Sequence, residues 1–283
     1  MNLIESIILG IIQGLTEFLP VSSSGHIELG KAILGVNPPD PLLFSIVVHA
    51  ATALSTIVVY RKDILKIITD LFKFEWNDST KFSAMILLSM IPVGLVGVFL
   101  EDKVEALFDG QILLVGLMLL LTGGLLFFSQ RAVSKGGELS FGKSLVVGIA
   151  QAIAILPGIS RSGSTISTAL ILGIDREQAA RFSFLMVLPP ILGATLLKVK
   201  DYLEPVEDAA TSVVAVADNI APVAGAAAEI SPLVLTAGFL ASFLAGLAAC
   251  SWMVAIVKRS KLDYFAYYCF IVGAIAIGWS LFA

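Results

Sequence analysis

The segment QGLTEFLPVSSSGH, residues 13–26, interrupts an apolar region that runs from residue 3 to residue 36. A second segment, LPGISRSGST at residues 156–165, interrupts the apolar region 144–174 in the same way. Pro, Gly and Ser in the middle of each region predict a turn between two helices. Each half is too short to span a bilayer, which takes about 20 apolar residues. Since such a turn at membrane depth needs protein or water around it, both regions are predicted to be re-entrant helical hairpins.

The whole chain has the composition of an integral membrane protein. Of its 283 residues, 57% are hydrophobic and 14% are charged, whereas soluble domains carry about 25% charged residues. Lipid is therefore the expected solvent, in a multi-pass protein of the plasma membrane. No basic stripe indicates a nucleic-acid partner, and Cys250 and Cys269 lie in apolar runs that give no disulfide framework.

Six further stretches are long and apolar enough to cross a bilayer as helices. None of them contains Asp, Glu, Lys or Arg, and Pro92, Pro189 and Pro190 should kink the helices that hold them. The stretches are 42–60, 82–100, 111–130, 182–197 with its flanks, 232–257 and 264–283. The predicted fold is all-α and integral to the membrane, with six transmembrane helices and two re-entrant hairpins.

The chain also repeats itself. Gln13 matches Gln151, Ser22 matches Ser160 and Phe44 matches Phe182, each pair separated by 138 positions. The single membrane domain is therefore divided into repeat 1 at 1–135 and repeat 2 at 139–283, each with one hairpin followed by three spans. Because three is odd, the second repeat is expected to be inverted, so that the two turns meet near the midplane.

The basic residues predict the orientation of the chain. Most of them lie in loops around 61–81, 131–143 and 258–261, which are cytoplasmic by the positive-inside rule. Both termini and the first hairpin then face outward. A connection at about 201–231, acidic and rich in Ala and Val, is interpreted as an external insertion, either a variable loop or a surface helix.

Few ionisable groups remain within the hydrophobic regions, and each is a functional candidate because a buried charge in a membrane must be paired or hydrated. Glu17 and Arg161 have opposite charges and lie in the two turns that the repeat brings together. A structural ion pair is one interpretation, but the polar groups around them favour a functional site. His49 lies within a span among Val and Ala and is interpreted as a packed or hydrogen-bonded core histidine in preference to a catalytic one.

The second turn has the composition of an oxyanion site. The planar guanidinium of Arg161 suits phosphate oxygens, and Gly and Ser amides before a helix form an anion cradle. The groups that would accompany it are Ser160, Ser162, Gly163, Ser164 and Thr165. Helix capping is the alternative role for these serines; the arginine favours phosphate binding.

The first turn supplies reactive groups. Three serines and a glycine are potential nucleophiles or phosphate ligands: Ser22, Ser23, Ser24 and Gly25. His26 can carry a proton or attack phosphorus. Glu17 can hold a divalent cation, since Mg²⁺ prefers oxygen ligands, and Gln13 lies one turn earlier on the same helical face and could add its carbonyl oxygen. The choice of nucleophile between Ser23 and His26 stays open.

Residues 13–26 closely resemble the first signature of the undecaprenyl-diphosphate phosphatase family, the bacitracin-resistance type, and residues 157–165 resemble its second signature. The similarity in order and spacing covers nearly the whole chain. It implies hydrolysis of undecaprenyl diphosphate to the monophosphate and inorganic phosphate, which recycles the lipid carrier for cell-wall polymers. It also implies the same fold, with six spans, two re-entrant hairpins in inverted repeats, and a site that opens outward.

Position by position, the resemblance also implies roles for residues. Glu17 would bind metal or activate water, and Ser23 and His26 would serve in nucleophilic or proton-transfer steps. The residues that would bind the pyrophosphate are Ser160, Arg161 and Thr165. A divalent cation, Mg²⁺ or Ca²⁺, is the implied cofactor. The implied partners are the bilayer and a polyprenyl pyrophosphate, with a second copy of the chain left open.

One departure from the family pattern and one rival function complete the expectations. The first signature often begins with Glu, whereas Gln13 stands here, which places more weight on Glu17. The rival is an inverted-repeat transporter or flippase for a lipid phosphate, because broken helices at the midplane also occur in transporters. Phosphate release by the purified protein in detergent would favour the enzyme.

Overall fold

The computed structural model describes residues 1–36, 38, 40–105, 111–131, 136–203, 230–258 and 262–282. Within these ranges the regular structure is helical, apart from one isolated bridge between Gly137 and Ile174. The described helices are α1 (Leu3–Phe18), α2 (Ser23–Leu34), α3 (Pro41–Val59), α4 (Arg61–Leu71), α5 (Asp78–Glu105), α6 (Ile112–Arg131), α7 (Phe141–Ile153), α8 (Arg161–Ile171), α9 (Arg176–Met186), α10 (Leu188–Leu203), α11 (Pro232–Lys258) and α12 (Asp263–Phe282). Most of the insertion at 201–231, and parts of two basic loops, lie outside the described residues.

The two predicted turns are confirmed as breaks between short helices. α1 and α2 are joined through residues 19–22, and α7 and α8 through residues 154–160. A serine caps the second helix of each pair, because Ser22 Oγ accepts the Gly25 amide at 3.2 Å and Ser160 Oγ accepts the Gly163 amide at 3.0 Å. Each cap satisfies an amide that a helix start leaves unpaired.

In the part of the chain that the structure describes, six helical segments are long and apolar enough to cross a membrane, as predicted. They are Pro41–Val59, Asp78–Phe99, Ile112–Arg131, Arg176–Leu197, Pro232–Val257 and Asp263–Phe282. The fourth is interrupted at Val187, just before Pro189 and Pro190. Large apolar side chains stay exposed on these segments: Val98 is 76% exposed and Leu196 is 70% exposed. Such faces require lipid, and the chain is a multi-pass membrane protein.

One helix was missed. The sequence analysis treats residues 61–81 as a basic loop, whereas Arg61–Leu71 forms α4. This helix is too short and too polar to resemble a span, and its basic residues dominated the interpretation. Asp63 on α4 pairs with Arg181 on α9, with Oδ1 and Nε 2.7 Å apart, so the helix is joined to the body of the protein.

Close backbone packing positions the two helix–turn–helix pairs. α1 lies against α11, where a Cβ added to Gly10 or Gly14 would collide with backbone oxygens of α11. α7 lies against α5 in a similar way, where a Cβ on Gly148 would collide with the carbonyl of Ser89. Small residues allow this approach, and close packing is the main attraction between helices in lipid. Each pair therefore packs its first helix on a span from the other half of the chain.

Candidate active site

The two turns lie against each other. A Cβ added to Gly25 would lie 3.1 Å from the Cα of Gly158, and one added to Gly163 would lie 3.3 Å from the Cβ of Pro20. Each turn therefore contributes a glycine that faces the other turn, where a larger side chain would push the two apart. The predicted juxtaposition of the turns is confirmed.

Glu17 and Arg161 join the turns through an ion pair. Arg161 Nη2 donates to Glu17 Oε1 at 2.5 Å, and its Nη1 donates to the carbonyl of Ser183 at 3.2 Å. The side chain of Glu17 is 7% exposed, and that of Arg161 is 16% exposed. Pairing compensates two charges that would otherwise be costly away from water. The predicted contact between the acidic and the basic residue is confirmed.

The second carboxylate oxygen of Glu17 accepts hydrogen bonds from two further side chains. Ser23 Oγ donates to Glu17 Oε2 at 2.7 Å, and Gln13 Nε2 donates to the same oxygen at 3.0 Å. The carboxylate therefore contacts the residue that begins α2 as well as its own helix. Gln13 turns its amide nitrogen toward Glu17, whereas the sequence analysis expected its oxygen there. Gln13 Oε1 is buried without a hydrogen-bond partner among the described residues.

The structure confirms a hydrogen bond for His49, whose Nδ1 lies 2.8 Å from the carbonyl of Ser45, but it places the ring beside the site. This residue lies on the face of α3 that is turned toward the site, with its Nε2 3.7 Å from Glu17 Oε2 and its side chain 29% exposed. It is therefore a neighbour of the catalytic candidates and not a sealed core residue. Adjacent positions in a helix face different directions, so the apolar residues beside it in the sequence did not report its surroundings.

His26 is held from both sides of its ring. Its Nδ1 lies 2.8 Å from the carbonyl of Ser22, and its Nε2 lies 2.8 Å from the hydroxyl of Tyr268. Because a carbonyl can only accept, Nδ1 carries the proton and Nε2 accepts from the tyrosine. The unprotonated Nε2 is the atom suited to receive a proton or to attack phosphorus. Tyr268 was not a sequence candidate, since it lies on the last helix and belongs to neither turn motif.

Several predicted phosphate ligands are engaged in capping and local contacts. The Ser22 and Ser160 hydroxyls cap α2 and α8 through the amides of Gly25 and Gly163. Thr165 Oγ1 donates to the Arg161 carbonyl at 2.9 Å and lies 2.6 Å from the hydroxyl of Ser183. Two remaining serines lie beside the caps, with Ser24 Oγ 3.4 Å from Ser22 Oγ and Ser162 Oγ 3.3 Å from Ser160 Oγ. The capping role is thus present; phosphate binding by these groups stays a prediction.

The candidate cation ligands form a small set. In the part of the chain that the structure describes, no three His, Cys, Asp or Glu side chains are grouped so that they could hold a metal ion. Glu17 with the unpaired oxygen of Gln13 can supply two oxygen ligands once the amide rotates. Mg²⁺ commonly takes one or two carboxylates and completes its shell with water and substrate phosphate oxygens. The donors present fit that mode of binding.

Comparison with known proteins agrees with this site. Residues 6–275 match the family described as bacitracin resistance protein BacA. The chain is 52% identical over 279 residues to the undecaprenyl-diphosphatase of Christiangramia forsetii and 49% identical over 278 residues to that of Bacteroides fragilis, with 98% of both chains covered in each comparison. It is 37% identical over 295 residues to the undecaprenyl-diphosphatase of Methanosphaera stadtmanae, again over 98% of both chains. The chain therefore belongs to the bacitracin resistance protein BacA family.

Proposed function

We propose that the protein hydrolyses undecaprenyl diphosphate to undecaprenyl phosphate and inorganic phosphate, and so recycles the lipid carrier used in cell-wall synthesis. The observation that carries this proposal is the contact between the turns, where Glu17 binds Arg161 through one oxygen and the Ser23 hydroxyl through the other. Relatives that match the chain along nearly its whole length are named for this reaction. The transporter alternative has no comparable support.

The arrangement favours Ser23 as the nucleophile. Its hydroxyl already donates to Glu17 at 2.7 Å, so the carboxylate can take the proton as the serine oxygen attacks the terminal phosphorus. The P–O bond to the lipid phosphate breaks, and undecaprenyl phosphate leaves. Water then attacks the phosphorus of the phosphoserine, and the bond from phosphorus to Ser23 Oγ breaks. Glu17 returns its proton to Ser23 Oγ, and the water oxygen leaves with its two protons as part of inorganic phosphate. Arg161 stabilises the charge on the phosphoryl oxygens in both steps.

A divalent cation, Mg²⁺ or Ca²⁺, belongs to this proposal. Glu17 and Gln13 would hold it, because a carboxylate beside a buried, unpaired amide oxygen fits a hard cation. When bound, the cation would neutralise charge on the pyrophosphate oxygens. Arg161 and the protein hydroxyls would orient the same oxygens.

The test is phosphate release by the purified protein in detergent, with no ion or substrate gradient. We expect release from undecaprenyl diphosphate that stops with a chelator and returns when Mg²⁺ or Ca²⁺ is restored. Rapid acid quenching should trap a phosphoenzyme that is stable in acid, as a phosphoserine is. An acid-labile, base-stable adduct would assign the nucleophile to His26 instead. Binding of the lipid without any phosphate release would overturn the proposed function.

We infer that the lipid tail of the substrate lies in an apolar groove between α2 and α12. The groove is lined by Leu29, Ala32 and Ile33 on α2 and by Val272, Ile275 and Trp279 on α12. These residues continue the helix faces that carry His26 and Tyr268, so a chain in the groove would lead away from the site. Its lining is entirely apolar, which suits an isoprenoid.

A tryptophan placed in this groove tests the assignment. Ala32→Trp should raise KM for a long polyprenyl pyrophosphate more than for a short one. Leu244→Trp is the matched control, because Leu244 is 63% exposed on a span outside the groove. An equal rise in KM for the two substrates in Ala32→Trp, relative to the wild type, would contradict the placement of the tail in this groove.

We also propose that the two helix–turn–helix pairs are re-entrant and inverted, in the plasma membrane, with both termini and the site facing outward. The crossed packing of α1 on α11 and of α7 on α5 supports an inverted repeat, and the positive-inside rule supports the orientation. Both native cysteines are buried, which leaves a low background for labelling. In intact cells an impermeant maleimide should label Ser231→Cys but not Asp78→Cys, and the reverse pattern would overturn the orientation.

A further inference from the structure

We propose that His49 is a nitrogen ligand of the divalent cation at this site and that it gives the site a preference for Mn²⁺ over Ca²⁺. The inference rests on the proposed function, because it concerns the cation that would assist hydrolysis. It starts from the position of the imidazole. Nε2 of His49 lies 3.7 Å from Glu17 Oε2, while Nδ1 lies 2.8 Å from the carbonyl of Ser45.

The hydrogen bond to Ser45 determines which nitrogen of His49 is free. A carbonyl oxygen can only accept, so Nδ1 carries the proton and Nε2 keeps its lone pair. That lone pair is beside Glu17 Oε2, which is also an acceptor. At 3.7 Å the two atoms are too far apart for a hydrogen bond. A carboxylate oxygen and an imidazole nitrogen in this relation are suited to share a cation.

Gln13 supplies a third acceptor at the same place. Its Nε2 donates to Glu17 Oε2 at 3.0 Å, and its Oε1 is buried without a partner among the described residues. The side chain of Gln13 is fully buried, so bulk water does not satisfy this oxygen. Rotation of the amide by a half turn would exchange its two ends and direct the oxygen toward Glu17. A cation between them would satisfy both oxygens.

The second half of the chain provides an internal comparison. Gln151, which matches Gln13, is also buried, and its Oε1 has no hydrogen-bond partner within the described ranges. An unpaired amide oxygen alone therefore does not mark a cation site. The positions that match Glu17 and His49 are Ile155 and Val187, which offer no ligand atoms. The combination of carboxylate, amide and imidazole distinguishes the first half.

The imidazole has a consequence for the choice of metal. Mg²⁺ and Ca²⁺ prefer all-oxygen sites, whereas imidazole nitrogen suits first-row transition ions and carboxylate oxygen suits Mn²⁺. A site with one nitrogen and two oxygen donors should therefore favour Mn²⁺ over Ca²⁺. The protein supplies few donors, so pyrophosphate oxygens and water would fill the remaining positions.

The experiment uses the full-length protein in detergent, purified without a histidine tag, with Mn²⁺ alone and then with Mn²⁺ and methylene diphosphonate. Only two histidines occur in the chain, so a pulsed EPR signal from ¹⁴N coupled to bound Mn²⁺ can be assigned by substitution. We expect coupling in the wild type and in His26→Gln, and none in His49→Gln. Mn²⁺ affinity should fall at least about 10-fold in His49→Gln, since even second-shell changes cost this much.

Further measurements keep the inference separate from folding and from the proposed function. His49→Asn serves as a second variant, and both should elute like the wild type in size-exclusion chromatography. Gln13→Leu should weaken Mn²⁺ binding, whereas Gln151→Leu, its matched control, should not. Three outcomes would overturn the role of His49. They are bound Mn²⁺ without nitrogen coupling, coupling that persists in His49→Gln, and no bound Mn²⁺ in either condition. Phosphate release by the wild type, measured in parallel, would leave the proposed function standing in each case.

Discussion

The two turns share a backbone design but carry different chemistry. In each, a serine caps the second helix through the amide of the glycine three residues later, and that glycine faces the other turn. Among the matched positions that differ, three pairs carry the chemistry: Glu17 and Ile155, Ser23 and Arg161, and His26 and Ser164. The shared residues bring the turns together. The differing residues place a carboxylate, a hydroxyl and an imidazole on the first turn and the guanidinium of Arg161 on the second.

The turns also differ in backbone conformation. Ser22 has φ of 71°, in the left-handed region, whereas Ser160 has φ of −75°. The first connection is shorter, and it places Ser23 at the start of α2 within 2.7 Å of Glu17 at the end of α1. In the second turn the matched residue, Arg161, reaches across to Glu17 instead. One turn therefore assembles its reactive groups internally, and the other supplies the charge that they require.

The largest effect should come from removing the positive charge of the second turn. We expect Arg161→Ala to lower the rate of phosphate release at least about 10³-fold, because the charge that develops on the phosphoryl oxygens loses its partner. Arg181→Ala is the matched control, since Arg181 pairs with Asp63 on α4 and touches neither turn. It should stay within a few-fold of the wild type in the same assay. Near-normal release by a folded Arg161→Ala protein would remove this residue from the site.

A smaller effect should separate His26 from its counterpart Ser164. His26→Ala should slow phosphate release by roughly 10²- to 10⁴-fold, the range for a lost proton-transfer group. Ser164→Ala should be mild, because the Ser164 hydroxyl is buried without a hydrogen-bond partner among the described residues. Steady-state kinetics on both variants provides the measurement. Equal losses at the two positions would contradict the assignment of the reactive groups to the first turn.

The smallest effect should appear in the stability of the protein, and the same substitution should be destabilising in the second turn only. Ser160→Gly loses a cap and gains freedom in the unfolded chain, so it should destabilise by about 1 kcal/mol. Ser22→Gly loses the same cap but relieves a left-handed conformation that glycine adopts without strain. It should be neutral or slightly stabilising. Apparent Tm in detergent can compare them, and a greater loss for Ser22→Gly would contradict the argument.

Much of the site was accessible from the sequence because the repeat aligned the turns. Glu17 and Arg161 are far apart along the chain, yet the matched positions indicated that they meet, and their ion pair confirms it. The serine caps were also predictable, because a serine just before a helix commonly accepts the amide of a residue two or three positions later. Pro189 and Pro190, in the first turn of α10, likewise indicated the break at Val187.

The remaining site residues were not predictable from local patterns. His49 and Tyr268 lie on spans whose surroundings are apolar in sequence, so nothing marked the side that faces the turns. The orientation of the Gln13 amide depends on the Glu17 carboxylate, which accepts a hydrogen bond from its Nε2. α4 was hidden because a short amphipathic helix lacks the long apolar run that identifies a span.

The sequence by itself determined the number and order of the membrane-spanning helices and the position of the turn in each helix–turn–helix pair. Lipid offers no hydrogen bonds to the backbone, so long apolar stretches must be helical and polar turns must be sheltered. Only the tertiary structure decided which face of each span lines the site. In a bilayer, an apolar side chain is about as stable against lipid as against protein. The face that a helix turns toward its neighbours therefore depends on close packing of small residues, such as Gly10 and Gly148, against an adjacent helix.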